Sequence, residues 1–106
     1  MSEELRIVLC TVPEADAERL ATSLLDSRLC ACVNLIGPVR SRYVWNGKIE
    51  ASSEILLFIK TRADLVTSLR DAIRARHGYE VPEVLEVPAS GGLESYLDWV
   101  AQTCRR

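Results

Sequence analysis

Hydrophobic residues recur along two long strand-like stretches of the chain that meet at Asn46-Gly47. Asn-Gly is the preferred pair for a two-residue type I′ turn, because both residues tolerate positive φ. The β-compatible stretches reach back to about Cys32 and forward to about Thr61. Each arm therefore has about 14 residues and spans about 45 Å at the usual strand rise. Since a globular domain of this length has a radius of gyration of about 13 Å, the hairpin is predicted to extend beyond its own domain.

This turn position also predicts the pairing near the tip of the hairpin. Tyr43 is placed opposite Glu50, and Trp45 opposite Lys48. Aromatic residues at an overhanging tip are typical of an interface with another subunit, because such rings are enriched at interfaces. We therefore predict that Tyr43, Trp45 and Glu50 lie at an interface between copies of the chain. The alternative is an aromatic pair that packs on its own sheet.

The other apolar periodicities predict two short strands and three helices. They are a strand over 5–12, a helix over 13–29, a helix over 62–77, a strand over 81–87 and a helix over 93–104. Gly78 is the expected residue after the second helix, which places His77 in its last turn. The order β-α-β-β-α-β-α predicts an α+β fold of the ferredoxin-like type, with a C-terminal helix added to one antiparallel sheet. We expect residues 1–106 to form a single domain.

Composition and charge exclude several functional classes. The 106 residues are 48% hydrophobic and 26% charged, as in ordinary globular proteins. A net charge of −2 gives no electrostatic reason to expect nucleic acid as a partner. No apolar run approaches the roughly 20 residues of a membrane span, and the acidic N-terminal residues 1–4 are unlike a signal peptide. We therefore predict a cytoplasmic protein with neither nucleic acid nor membrane as a partner.

The chain has four cysteines, Cys10, Cys30, Cys32 and Cys104. Without an export signal, reduced thiols are expected rather than disulfides. Cys30 and Cys32 form a close pair but lack the second pair that a structural zinc site needs. Buried structural thiols are the simplest interpretation of the last three cysteines.

Six segments, in this order and spacing, resemble the CutA family of divalent-cation-tolerance proteins. They are IVLCT (7–11), ACVNLI (31–36), SRYVWNGKIE (41–50), EILLFIKT (54–61), HGYEVPE (77–83) and YLDW (96–99). The resemblance implies a compact homotrimer of ferredoxin-like subunits that share long strands, and a role in the tolerance of copper and other divalent ions. The same plan is similar to that of the PII signalling proteins, although similarity of fold is weak support for a function.

The resemblance also implies candidate metal ligands. Cys10 matches the family's cysteine in the first strand, and His77 matches the second of two neighbouring histidines. Arg76 replaces the first histidine and Gly78 replaces the proline that follows the pair. A thiolate and an imidazole suit copper, but arginine is no ligand and repels a cation. The alternatives are a buried thiol at Cys10 and, for His77, a residue that interacts with the end of its helix.

A second group of polar residues needs no metal. Lys60 follows a buried apolar run and so needs a partner, for which Glu54, Glu80 and Glu83 are candidates. The predicted fold brings the ends of its strands and helices to one edge, where clefts between subunits commonly bind small ligands. We therefore predict a ligand cleft with Lys60, Tyr79, Glu80 and Glu83. A structural ion pair between subunits is the alternative.

These observations leave three functional hypotheses for a homotrimer. The first is a metal-response protein that binds copper or a similar divalent ion, with no obligatory cofactor. The second is a PII-like sensor of a small ligand, and the third is a structural scaffold for partner proteins. Because the chain has a single histidine and no recognisable nucleophilic triad, we do not expect an enzyme.

Overall fold

The structure, a computed structural model, describes residues 4–106, so the first three residues of the acidic N-terminal segment lie outside it. Four strands form one antiparallel sheet, and three helices accompany it. The strands are β1 (Leu5–Pro13), β2 (Cys32–Trp45), β3 (Lys48–Arg62) and β4 (Leu85–Pro88), and the helices are α1 (Ala17–Asp26), α2 (Val66–Arg76) and α3 (Glu94–Thr103). The strand order is β2-β3-β1-β4. This order confirms the predicted α+β, ferredoxin-like fold.

The long hairpin of β2 and β3 is confirmed with its predicted turn. Asn46 and Gly47 both have positive φ, 52° and 77°, as a type I′ turn requires. Tyr43 lies opposite Glu50 and Trp45 opposite Lys48, as predicted. The hairpin accounts for the elongated shape, which measures 48 × 25 × 21 Å along its principal axes.

Helices α1 and α2 cover one face of the sheet. Their apolar stripes pack against alternate residues of β1 and β3 in one buried cluster, whose sheet members are Val8, Cys10, Val12, Leu57 and Ile59. A smaller cluster forms where α3 packs near the start of β1, around Leu5, Val100 and Cys104. Arg62 is almost fully buried and donates hydrogen bonds to the carbonyl oxygens of Ala101 and Arg105, which holds the end of α3 in place.

Three predicted boundaries are wrong. The first helix, predicted over 13–29, is α1 over Ala17–Asp26, with a short 3-10 helix over Glu14–Asp16 before it. Helix α2 ends at Arg76, and His77 has extended backbone angles (φ −85°, ψ 147°) rather than lying in the last helical turn. Gly78 does not have positive φ, because its neighbour His77 already leaves the helix. The last strand begins at Leu85, so residues 81–84 are not part of it. The chain from 77 to 84 is thus free to form one wall of a pocket.

Candidate functional site

A pocket of about 820 Å³ lies between the outer part of the hairpin and the segment that follows α2. Three aromatic rings, three carboxylates and one guanidinium line it, from Tyr43, Trp45, Tyr79, Glu54, Glu80, Glu83 and Arg42. The aromatic residues of the hairpin stand on β2, whereas Glu54 belongs to β3 and the other two carboxylates to the segment after α2. The pocket therefore exists because the two hairpin strands extend past the helices.

Tyr79 and Glu54 join the two walls of this pocket. The Tyr79 hydroxyl donates a hydrogen bond of 2.9 Å to Glu54 Oε2. Glu54 is only 4% exposed, although it is a carboxylate. Partial burial and the adjacent carboxylate raise the pKa of Tyr79 to about 12, so the phenol stays protonated and donates at neutral pH. Partial burial and the charge of Glu54 also raise the pKa of Glu83.

His77 stands beside the pocket with both ring nitrogens engaged. Its Nδ1 accepts the backbone N–H of Tyr79 at 3.0 Å, and its Nε2 lies 2.8 Å from the carbonyl oxygen of Thr11. Because Nδ1 is the acceptor, Nε2 must carry the proton and donate to Thr11. The imidazole also stacks on Tyr79 with 4.6 Å between ring centroids. In this arrangement His77 has no free lone pair for a metal ion.

Cys10 meets His77 at the same carbonyl group. Its Sγ lies 3.8 Å from the carbonyl oxygen of Thr11, which also accepts the His77 bond. The thiol is fully buried, and burial, with smaller effects from the charges of Glu83 and Glu54, raises the pKa of Cys10 to about 12. The thiol therefore stays neutral at physiological pH, and only the thiolate binds metals well.

The two predicted ligands are thus close to one another but not arranged as a resident metal site. Across residues 4–106, no group of three or more His, Cys, Asp or Glu side chains is placed to hold a metal ion. Arg76, which replaces the first histidine of the family pattern, binds α1 instead. Its Nη1 donates to the hydroxyl oxygen of Ser23 at 2.7 Å and to that of Ser27 at 3.3 Å. Arg76 therefore serves to join the two helices.

Lys60 does not line the pocket, so one subunit does not bring it together with Tyr79, Glu80 and Glu83. Its Nζ donates to Asn34 Oδ1, lies 3.7 Å from Cys32 Sγ and sits 5.2 Å above the Phe58 ring. The reason is the strand itself: Lys60 is six residues from Glu54 along β3, or about 20 Å at the usual rise. A strand this long keeps its two ends apart.

The predicted interface residues lie on the exposed outer part of the hairpin. Tyr43 and Trp45 are each 42% exposed, and Glu50 is exposed. The Tyr43 hydroxyl and the Ser52 hydroxyl share a hydrogen bond of 2.7 Å. Within the subunit these side chains are therefore available to a partner.

Glu54 was predicted only as a possible partner of Lys60, and Thr11 was not among the predicted site residues. Glu54 precedes the apolar run 55–59, and a charge at the edge of a buried strand is a usable signal for a buried carboxylate. Thr11 acts through its backbone carbonyl, which no side-chain pattern reveals. Backbone contacts of this kind depend on the register of the sheet.

Comparison with known proteins gives one consistent family. The chain matches the family model of the CutA1 divalent ion tolerance protein over residues 6–103. It is 43% identical over 100 residues to the divalent-cation tolerance protein CutA of Pectobacterium atrosepticum, covering 93% of this chain and 91% of that protein. It is 42% identical over 100 residues to the chloroplastic protein CutA of Arabidopsis thaliana, covering 93% of this chain and 55% of that protein. The chain thus spans about half the length of this plant relative.

Solved structures of similar proteins share the whole fold. The crystal structure of CutA1 from Oryza sativa superposes with a TM-score of 0.95 at 39% identity, covering 98% of this chain and 96% of that one. The PII-like protein CutA from Nostoc sp. PCC 7120 superposes with a TM-score of 0.90 at 31% identity, covering 94% of this chain and 97% of that one. Among residues 4–106, no helix is long and apolar enough to cross a membrane.

Proposed function

The chain belongs to the CutA1 divalent ion tolerance family, and from this premise we propose that it acts in the cellular response to divalent metal ions, copper among them. We propose that it does so as a cytoplasmic homotrimer and without catalysing a reaction. The observation that supports the metal most directly is the meeting of Cys10 and His77 at the Thr11 carbonyl. A sulfur and an imidazole nitrogen at one point of the fold suit copper.

The proposed ion is a transient ligand rather than a resident cofactor. Binding at His77 breaks either the hydrogen bond from Tyr79 at Nδ1 or the one to Thr11 at Nε2. Binding at Cys10 requires loss of a proton from a thiol whose pKa is about 12. These changes lower the affinity, because each must be driven by the metal bond. Such a protein responds to an excess of metal and remains folded without it.

The trimer is supported by the outer part of the hairpin. Val44 is 70% exposed and Ile49 is 78% exposed, next to the half-exposed rings of Tyr43 and Trp45. Apolar patches of this kind on a soluble protein mark interaction sites. In the proposed trimer, the long strands of neighbouring copies cover this apolar patch.

A copper titration of the reduced protein tests the metal part of this proposal. We expect saturable binding that is weakened at least tenfold by His77→Ala and by Cys10→Ala. Cys32→Ala is the matched control, because Cys32 is a half-buried thiol that contacts Lys60 and Tyr96 rather than Thr11. Binding that does not saturate, or that falls equally in all three variants, contradicts the assignment of these ligands.

A further inference from the structure

The pocket beside the hairpin contains a buried carboxylate, Glu54. Glu54 is 4% exposed, and its contact is the Tyr79 hydroxyl. In the part of the chain that the structure describes, no lysine or arginine forms an ion pair with it. A buried carboxylate without a counter-charge is costly, and a single hydroxyl donor offsets only part of that cost.

The other charges of the pocket increase this imbalance. Glu80 and Glu83 line the same cavity. Partial burial and, to a smaller extent, repulsion by the charge of Glu54 raise the pKa of Glu83. Arg42 also lines the cavity, but it forms no ion pair with any of the three across residues 4–106. Three carboxylates against one guanidinium leave the lining negative. A bound cation would relieve that repulsion.

The shape and the aromatic walls indicate what kind of cation fits. A volume of about 820 Å³ lies within the range of small-molecule sites, which is far larger than a bare ion needs. Tyr43, Trp45 and Tyr79 present rings to the cavity, and aromatic faces attract organic cations. Residues 4–106 hold no cluster with the ligand arrangement of a metal site. An organic cation therefore fits better than a metal ion.

We propose that this pocket binds a small organic cation, an amine or a guanidinium compound, with Glu54 and Glu83 as its counter-charges and Tyr43 and Trp45 as its aromatic walls. This ligand goes beyond the metal response proposed above. A lysine or arginine side chain of a second copy presents the same chemistry. In the proposed trimer Tyr43 and Trp45 also border a neighbouring copy, and we assign the pocket to a free ligand because its volume is large enough for a whole molecule.

Benzamidine and benzamide form a matched pair of probes for this proposal. They have nearly the same shape, but only benzamidine is a cation at neutral pH. Calorimetric titration of the assembled protein is expected to show saturable binding of benzamidine at least tenfold tighter than that of benzamide. Equal binding of the two probes would overturn the proposal, since it would show an apolar site. Tighter binding of magnesium at the same site would overturn it as well.

Three variants locate the probe. Glu83→Gln removes a charge at the exposed rim and is expected to weaken benzamidine at least fivefold, and Glu54→Gln at least tenfold. Glu86→Gln is the matched control, because Glu86 lies on β4 and bonds to Arg6 outside the pocket. Equal affinity in the Glu83 and Glu86 variants contradicts the site even if the Glu54 variant does not fold.

The oligomeric state separates the free ligand from a second copy. Titrations are repeated at protein concentrations above and below subunit dissociation. Binding by the assembled protein supports the free ligand. Binding only by dissociated subunits shows that a neighbour's side chain fills the pocket and overturns the proposal. Neither result depends on copper, so the proposed metal response and the proposed ligand site can be disproved independently.

Discussion

The long hairpin has an inner half, where β2 up to Ile36 pairs with β3 from Leu56 onward, and an outer half between Val39 and Glu54. The two halves use the same kinds of residue in opposite surroundings. In the inner half, Leu57 and Ile59 are completely buried beneath α1 and α2. In the outer half, Val44 and Ile49 are equally apolar but 70% and 78% exposed. The apolar pattern therefore marks the positions that need to be covered, and helices of the same subunit cover only the inner ones. The difference teaches that the outer half is built for contact with something else.

Gly37 marks the junction between the two halves. The pairing of β2 with β3 shifts in register between Ile36 and Val39. Gly37 has φ of 147°, and a Cβ there would lie 2.9 Å from the Val39 nitrogen and 3.0 Å from the Glu54 oxygen. Only glycine fits this close approach. The shift lies between the covered and the exposed parts of the hairpin, and Glu54, which pairs with Val39 after it, lines the pocket.

The largest expected effect comes from truncating the inner half. Ile59→Ala removes a fully buried side chain from the core and should lower the free energy of unfolding by about 2–5 kcal/mol. Ile49→Ala is the matched change in the outer half and should lower it by no more than about 0.5 kcal/mol in the isolated subunit. Urea denaturation of both variants measures the two values.

Protein concentration makes this comparison sharper. As the protein concentration rises and assembly contributes to stability, the loss of unfolding free energy caused by Ile49→Ala should grow. The loss caused by Ile59→Ala should stay nearly constant. Equal costs for the two variants at every concentration would contradict the distinction between the halves.

The next effect is on assembly. In the proposed trimer, Trp45→Ala removes a large aromatic side chain from the tip of the hairpin, and such residues typically contribute about 2 kcal/mol or more at an interface. Sedimentation velocity should show the variant dissociating at concentrations where the unaltered protein stays assembled. Lys48→Ala, which changes the residue opposite Trp45, is the control. An unchanged distribution of species in the tryptophan variant would show that the tip is not the interface.

Much of the fold followed from the sequence because its strongest signals are local. The Asn46-Gly47 turn set the pairing of the outer half, and the β-compatible runs on both sides of it located the two long strands. The end of α2 was predicted less well, because His77 leaves the helix to reach the Thr11 carbonyl, a contact made 66 residues away in the chain. No local pattern contains such a contact.

The candidate site divides in the same way. Tyr79, Glu80 and Glu83 were predicted together and do line one pocket, because they are close in the sequence. Lys60 was predicted with them on the assumption that strand and helix ends meet at one edge. Within one subunit, β3 has 15 residues and is long enough to keep Lys60 apart from the pocket. Long strands therefore weaken any inference that depends on a shared sheet edge.

The smallest expected effect concerns the thiol of the inner half and its dependence on pH. Burial raises the pKa of Cys10 to about 12, whereas an unfolded cysteine titrates near 8.5, so the folded state retains a proton that the unfolded state has lost. Stability from this group is complete below about pH 8.5 and falls as pH rises toward 12, by about 2 kcal/mol at pH 10. Cys10→Ala should remove that slope, so its unfolding free energy should decline less between pH 8 and pH 10 than that of the unaltered protein. Cys32→Ala provides the comparison at a half-buried thiol. If the unfolding free energy changes with pH to the same extent with and without Cys10, water reaches the thiol in the folded protein despite its complete burial.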